Sequence, residues 1–305
     1  MKTIAFIIPQ SVEILDLAGP LQVFTEAKSQ GLDIEIKFYS YQKNIISSSG
    51  LPFNEIESYK NAQLVKGDFI FLPGVHFEGL KAFINAGRPF MDWLVSSFNK
   101  QVNLCSVCNA TFVLGKAGLL ENRKCTTHWK RIEALQGSFP KAIVISDVLY
   151  VKSKNIYTSA GVSTGIDLAL SILEELTDPL FVNKVAQSLV LYYRRNSTHS
   201  QQSIYLNYRN HVNPKIHQIQ DSIIENLSSE IRIYSLAENV GMSPRNLSRV
   251  FKSTTKMTIG QYVTQLRIEK AKTLRHNPNY TMDYIASKCG YKSARQLQRI
   301  LKINQ

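Results

Sequence analysis

The sequence predicts an α/β domain followed by an all-α domain, and three observations carry that reading. As far as about residue 175, short β-rich apolar runs alternate with helical patterns, as in a mostly parallel sheet covered on both faces. Beyond Pro214 every apolar pattern has helical spacing. The charge divides in the same way. Residues 1–200 hold 20 Lys and Arg against 17 Asp and Glu, whereas residues 201–305 hold 16 against 6, so a net of +10 out of +13 lies in the last third.

Taken in order, Thr3–Ile8 is a continuous β-prone run of buried-strand type, and after a loop a helix is expected from about Pro20 to Ser29. Ile34–Tyr39 and Phe69–Leu72 read as further strands, the second stopped by Pro73-Gly74. Val102–Ser106 is a strand and Asn109–Lys116 the helix after it. Ile143–Val151 and Ile156–Ser159 suggest a hairpin around Lys152–Asn155, and helices fit Thr164–Leu176 and Pro179–Arg194. Arg195–Pro214 is polar and rich in Asn, Ser and Gln, which divides the chain into a domain at 1–195, a linker at 196–214 and a domain at 215–305. In the last domain Ile216, Ile219, Ile223 and Leu227 recur at helical spacing. Ile259–His276 predicts a long helix with Tyr262, Val263, Leu266 and Leu274 on one side, ended by Asn277-Pro278.

Composition narrows the class. With 44% apolar and 19% charged residues the chain reads as soluble and globular. Four irregularly spaced cysteines make no disulfide framework, and neither a metal-ligand spacing nor a cofactor motif is present. The apolar run Ile4–Ile8 is cut short by Pro9, and no stretch reaches membrane-spanning length, so a cytoplasmic protein without membrane attachment is expected. A basic folded segment favours a polyanion through counterion release, although a merely solvated basic surface has the same composition.

The segment Ser235–Lys252 carries the strongest local signal. Ala237 is small where two helices must approach, Gly241 suits a turn, Ser243 offers an N-cap oxygen and Pro244 fits the first helical position. Leu247, Val250 and Phe251 then face inward, leaving Arg245, Asn246, Ser248, Arg249 and Lys252 outward. The pattern recurs: Ile285-Ala286 and Cys289-Gly290-Tyr291 precede Ser293 and a helix bearing Arg295, Gln296, Gln298, Arg299 and Lys302 over Leu297, Ile300 and Leu301. Arginines and amides on an exposed helix suit guanine and adenine edges. Residues 215–302 resemble the DNA-binding domain of the AraC/XylS family of bacterial regulators. The resemblance implies two recognition helices in successive major-groove segments of double-stranded DNA, with Arg245, Asn246 and Arg249 on the first and Arg295, Gln296 and Arg299 on the second. Leu301 stands where that family usually has phenylalanine.

Ser106–Leu120 places Cys108 between an apolar strand and a helix, where a helix dipole and free N–H groups lower a thiol's pKa. Cys108 is therefore a candidate nucleophile, weighed against an ordinary small buried cysteine. Cys105 lies inside the strand, so Cys105 and Cys108 do not match a redox pair, and Cys125 and Cys289 read as structural. Residues 3–195 resemble the PfpI/ThiJ-type domain, a flavodoxin-like or class I glutamine-amidotransferase-like sandwich. The likeness rests on Leu15-Asp-Leu-Ala-Gly-Pro20, Leu72-Pro-Gly74, the Cys108 elbow, Thr126-Thr-His-Trp129 and Ala160-Gly-Val-Ser-Thr-Gly-Ile-Asp-Leu-Ala169. With the basic tail, the whole resembles the GlxA-like regulators.

The resemblance implies a pocket at Asp16, Gly74, Cys108 and Asn109, with Asp16 near the cysteine and His128 as a third candidate; His76 is a further pocket candidate from its place in the loop, weighed against an ordinary solvated histidine. Two departures bear on catalysis. Asn109-Ala110 replaces the usual Thr/Ser-Gly, and Pro73-Gly-Val-His76 lacks the second glycine that commonly supplies an oxyanion N–H. The expectation is a sequence-specific DNA-binding transcription regulator whose first domain senses a small-molecule effector or dimerises, a non-catalytic relative of the PfpI/ThiJ enzymes. The alternative is a cysteine-dependent hydrolase, amidase or hydratase fused to a DNA-binding domain. A homodimer, contact with RNA polymerase and an activator role belong to the same expectation, with repression left open.

Overall fold

The computed structural model describes residues 1–191, 195, 197, 199–201, 204–275 and 279–303. The chain forms two compact units, Met1–Gln201 and Gln202–Gln305. Alternation of side chains across extended backbone decides how the first one packs. Its sheet has seven strands: β1 (Lys2–Ile7), β2 (Ile34–Ser40), β3 (Glu57–Ser58), β4 (Phe69–Leu72), β5 (Asn103–Val107), β6 (Tyr150–Ser153) and β7 (Ile156–Ser159). They lie in the order β6-β7-β5-β4-β1-β2-β3, parallel throughout except for the antiparallel pair β6–β7. The helices that pack on it include α1 (Ile14–Ser29), α2 (Arg88–Asn99), α3 (Thr111–Lys116), α4 (Thr164–Leu176) and α5 (Pro179–Ser188), with shorter helices at Leu80–Ile84 and Ile132–Ser138. Ile4, Phe6, Phe71 and Val107 point to one core, shared with Phe24 of α1, Leu168 of α4 and Val185 of α5. Ala5, Ile7, Ile70 and Leu104 point to the other, shared with Phe90 of α2 and Val113 of α3. This is the flavodoxin-like sandwich. The chain leaves β1 towards β2 on one side and returns to β4 on the other, and such a reversal opens a crevice at the strand ends.

Three expectations change. Helix α1 begins at Ile14, and Pro20 lies inside it. The Gly19-Pro20 pair serves helix packing: a Cβ on Gly19 would sit 3.0 Å from Ile166 Cγ1, and one on Gly165 would sit 3.1 Å from Pro20 Cγ. Ile143–Val144 pairs in parallel with Lys124–Cys125, so the hairpin proper begins at Tyr150 and turns at Lys154-Asn155. Helix α5 stops at Ser188, shortly before Val190 takes φ +54°, and the expected end at Arg194 lies outside the described residues.

The second unit is helical throughout its described residues. A short helix, Ile204–Asn207, falls within the stretch expected to be linker, and Ile204 is buried in the core of this unit. Then follow α6 (Pro214–Glu225), α7 (Ile233–Asn239), α8 (Pro244–Thr255), α9 (Ile259–Leu274), α10 (Met282–Lys288) and α11 (Ala294–Ile303). Pro214 opens α6 at its first position, with Asn213 Oδ1 accepting the Ile216 N–H at 3.3 Å. Two apolar clusters form. Ile216, Ile223, Leu247 and Phe251 meet Tyr262 and Leu266 in one, whereas Ile285, Cys289 and Leu297 meet Ile268 and Ala271 in the other. Helix α9 therefore belongs to both. Its expected terminus at His276, Asn277 and Pro278 lies outside the described residues. Among the described residues no helix is long and apolar enough to cross a membrane.

Candidate ligand pocket and nucleic-acid interface

Three strand ends meet at the candidate site. Asp16 follows β1 at the start of α1, Gly74 follows β4, and Cys108 follows β5. Cys108 takes φ +59°, a left-handed conformation costly for a residue with a Cβ, which lifts its thiol out of the strand direction. Two glycines make room. A Cβ on Gly74 would lie 2.2 Å from Asp16 Oδ2 and 2.9 Å from Cys108 Cβ. On Gly161, at φ +91°, it would lie 2.3 Å from Cys108 Cβ and 2.7 Å from Sγ. The structure thus brings together Asp16, Gly74, Cys108 and Asn109, and adds Gly161 and Val162 from the turn before α4. Their signal was present in the Ala160-Gly-Val run, but only the tertiary fold aims it at the cysteine.

Asp16 is 2% exposed. Its Oδ1 accepts the Val162 N–H at 2.5 Å, and its Oδ2 is buried with no hydrogen-bond partner among the described residues. Burial raises the carboxyl from 3.8 to about 6, partly opposed by the Val162 N–H. The Cys108 thiol is pushed far above its ordinary range, first by burial and then by the negative charge of Asp16. The acidifying helix start expected from the sequence is outweighed.

Asn109 explains the altered loop. Its Oδ1 accepts the Val75 N–H at 3.0 Å and its Nδ2 donates to the Val75 carbonyl at 2.8 Å. The His76 N–H is donated to the Ser11 carbonyl at 2.8 Å, and the His76 side chain is exposed. His128 is half-buried, with Nδ1 accepting the Lys130 N–H at 3.3 Å, which puts the ring proton of a neutral imidazole on Nε2. Burial and the nearby Lys130 and Arg131 charges lower its pKa. Its neighbour Thr127 donates its hydroxyl to the Cys108 carbonyl at 2.7 Å. Behind the elbow Ser106 Oγ and Thr111 Oγ1 lie 2.9 Å apart, and Thr111 donates to the Thr126 carbonyl at 3.0 Å.

In the second unit, helix ends fix what faces outward. Gly241 turns at φ +61° and Ser243 Oγ accepts the Asn246 N–H at 3.3 Å to start α8. Gly290 turns at φ +73° and Ser293 Oγ accepts the Gln296 N–H at 3.3 Å to start α11. Leu247, Phe251, Leu297 and Leu301 are buried, with Val250 and Ile300 half-buried beside them. Leu301 fills the second cluster where the related family carries phenylalanine.

Arg245, Ser248, Arg249 and Lys252 are exposed on α8, as are Arg295, Gln296, Gln298 and Arg299 on α11, and Ser243 is exposed at the α8 cap. Three polar groups are engaged locally. Asn246 Oδ1 accepts from Arg249 Nη2 at 3.0 Å, Ser248 Oγ donates to the Pro244 carbonyl at 2.9 Å, and Gln296 Oε1 accepts the Lys292 N–H at 3.1 Å.

Fold and sites together define a transcription regulator that binds DNA through a tandem helix-turn-helix unit of the AraC type. The chain belongs to the DJ-1/PfpI family, which it matches over residues 2–175, and residues 236–303 match a helix-turn-helix domain. It is similar to the HTH-type transcriptional regulator CdhR of Pseudomonas aeruginosa, 27% identical over 256 residues that cover 84% of this chain and 74% of that one. The isonitrile hydratase of Pseudomonas putida is 28% identical over 176 residues, covering 57% and 71% respectively. Among solved structures, an AraC family transcriptional regulator from Pseudomonas putida superposes with a TM-score of 0.53 at 18% identity, covering 62% of this chain and 100% of that one.

Proposed function

We propose that the first unit, with a working domain at residues 1–195, is a sensor. It holds a small-molecule effector over Asp16, Gly74, Cys108 and Asn109 without turning it over, and adjusts how the second unit engages double-stranded DNA. One observation carries this reading: the Asn109 amide occupies both backbone groups of Val75, which stands where the PfpI/ThiJ-type enzymes commonly have a second glycine that supplies an oxyanion N–H. A thiol held protonated by burial beside a carboxylate points the same way. Binding alone satisfies regulation, because an effector needs only different affinities for two states.

In the DNA-binding domain at 215–305, Arg245, Arg249, Arg295, Gln298 and Arg299 read base edges, and Lys252 contacts phosphate. Asn246 and Gln296 position their neighbours in the free protein and turn to DNA on binding. Homodimerisation and a contact with RNA polymerase complete the proposal.

A second reading has support of its own. The Asp16 carboxyl, raised to about 6, sits beside a thiol on a strained elbow, an arrangement suited to proton transfer, and the chain is similar to an isonitrile hydratase. Cys108→Ser separates the two. A sensor keeps effector-dependent transcription within about threefold of wild type in a reporter assay, whereas a drop to the level without effector, with operator affinity retained, favours thiol chemistry.

A further inference from the structure

A sensor needs a physical route from its pocket to the chain that leads into the DNA-binding unit, and the inference here rests on the sensing reading above. The sequence at the end of the first unit reads as polar linker, yet its described residues are fastened. Arg195 donates from Nε at 3.2 Å and from Nη2 at 2.5 Å to the two carboxylate oxygens of Asp167, and from Nη2 to Ser163 Oγ at 2.8 Å. Ser163 adjoins Val162, whose N–H holds Asp16. Farther along, Gln201 Nε2 donates to the carbonyls of Thr127 at 3.1 Å and Val148 at 3.0 Å, and Thr127 is the residue whose hydroxyl holds the Cys108 carbonyl. Between these anchors the Ser197 carbonyl accepts the Leu149 N–H at 3.2 Å and Ser200 Oγ donates to Asp147 at 2.6 Å. Gln201 is the last residue of the first unit.

We propose that Arg195, Ser197, Ser200 and Gln201 fasten a strap that reads both walls of the pocket and passes its state along the chain. One wall is the Gly161–Ser163 turn, gripped through Ser163 by Arg195. The other is the Thr126-Thr127 loop, gripped by Gln201. The Gly161–Ser163 wall has no slack, since Gly161 already touches the cysteine so closely that no Cβ fits. An occupant that takes space beside Cys108 displaces the turn, and a two-pronged guanidinium–carboxylate pair tolerates little misalignment. Asp167 is buried, so loosening Arg195 leaves a carboxylate poorly matched and drives the strap to a second arrangement.

The test uses the intact protein and an operator duplex obtained from it by in vitro selection. Methyl methanethiosulfonate serves as a small occupant: it converts the Cys108 thiol to a methyl disulfide with release of methanesulfinate, confirmed by mass and absent in Cys108→Ser. Cys108→Met provides a second occupant that needs no reagent. Occupancy is expected to change operator affinity about tenfold in the wild type and to speed amide exchange at residues 195, 197 and 199–201. In Arg195→Gln and in Gln201→Ala the same occupants are expected to change affinity by no more than about twofold, while Arg195→Lys restores part of the response. If both occupants shift affinity in the two variants as strongly as in wild type, the strap is overturned and the sensing pocket stands. If neither occupant alters affinity in the wild type, the sensing reading falls and the strap falls with it.

Discussion

In the first unit the polar groups that matter are turned inward: Asp16, Thr126, Thr127 and Asp167 are buried, and each is hydrogen-bonded to a neighbouring loop, strand or side chain of the same unit. In the second, Arg245, Arg249, Arg295 and Arg299 stand exposed on helices whose opposite faces carry buried leucines. Burial changes the chemistry of a group, raising the Asp16 carboxyl and the Cys108 thiol, whereas an exposed arginine keeps its charge and donates wherever a partner arrives. In one unit burial and tight contacts set the character of the candidate site. In the other it is set by which side chains the apolar face leaves outside.

The contrast is most severely tested at Phe251, which is fully buried where α8 meets Tyr262. Phe251→Ala is expected to cost about 3–5 kcal/mol in the second unit and to abolish operator binding. Denaturation followed separately at probes in each unit should show the first unit's transition unmoved. A common shift in both transitions would mean that the two units do not unfold independently. Arg249→Ala should leave stability unchanged yet weaken specific binding by about 1–3 kcal/mol and relax preference at one base position, read by competition with substituted duplexes. Unchanged selectivity would remove α8 from the reading face.

Asp16→Asn should act in the opposite sense, because a carboxyl whose pKa rises on folding stabilises the fold most while it is protonated. For Asp16 that contribution is present below 3.8, the unfolded value, and is lost as the pH climbs through about 6. The amide escapes this loss, so unfolding free energy near neutral pH is expected to rise by about 1–3 kcal/mol, with no gain near pH 4. A pH-independent effect would show that the carboxyl is not desolvated as described. Smallest is Ser243→Ala, which removes the α8 cap and should cost about 1 kcal/mol, measured by urea denaturation of the second unit.

What could be read from the sequence follows the same division. The start of α8 was legible because Ser243-Pro244 and Gly241 act within four residues of one another, and α4 was legible from end to end because its apolar face repeats without interruption. Helix α1 was not, since the signal at Gly19-Pro20 belongs to a contact with Ile166 and Gly165 far along the chain. Ile143–Val144 offered a β-prone pair without naming its partner, and the hairpin was drawn too long. In the pocket, Cys108 and Asp16 were recoverable from motif resemblance, but the Asn109 clamp on Val75 and the approach of Gly161 depend on where three loops meet. Arg195 and Gln201 sit in a stretch whose composition describes a linker, because composition says nothing of the buried acceptors waiting for them.

The membership of α9 in both apolar clusters bears on the shape of the DNA target. With Tyr262 and Leu266 bedded in one module and Ile268 and Ala271 in the next, the two reading heads are mounted on a single beam, and neither can be repositioned without uncovering core. A target with one extra base pair between its two contacted stretches would rotate one stretch away from its head by about a tenth of a duplex turn. The duplex, rather than the protein, would then have to bend or twist to be read.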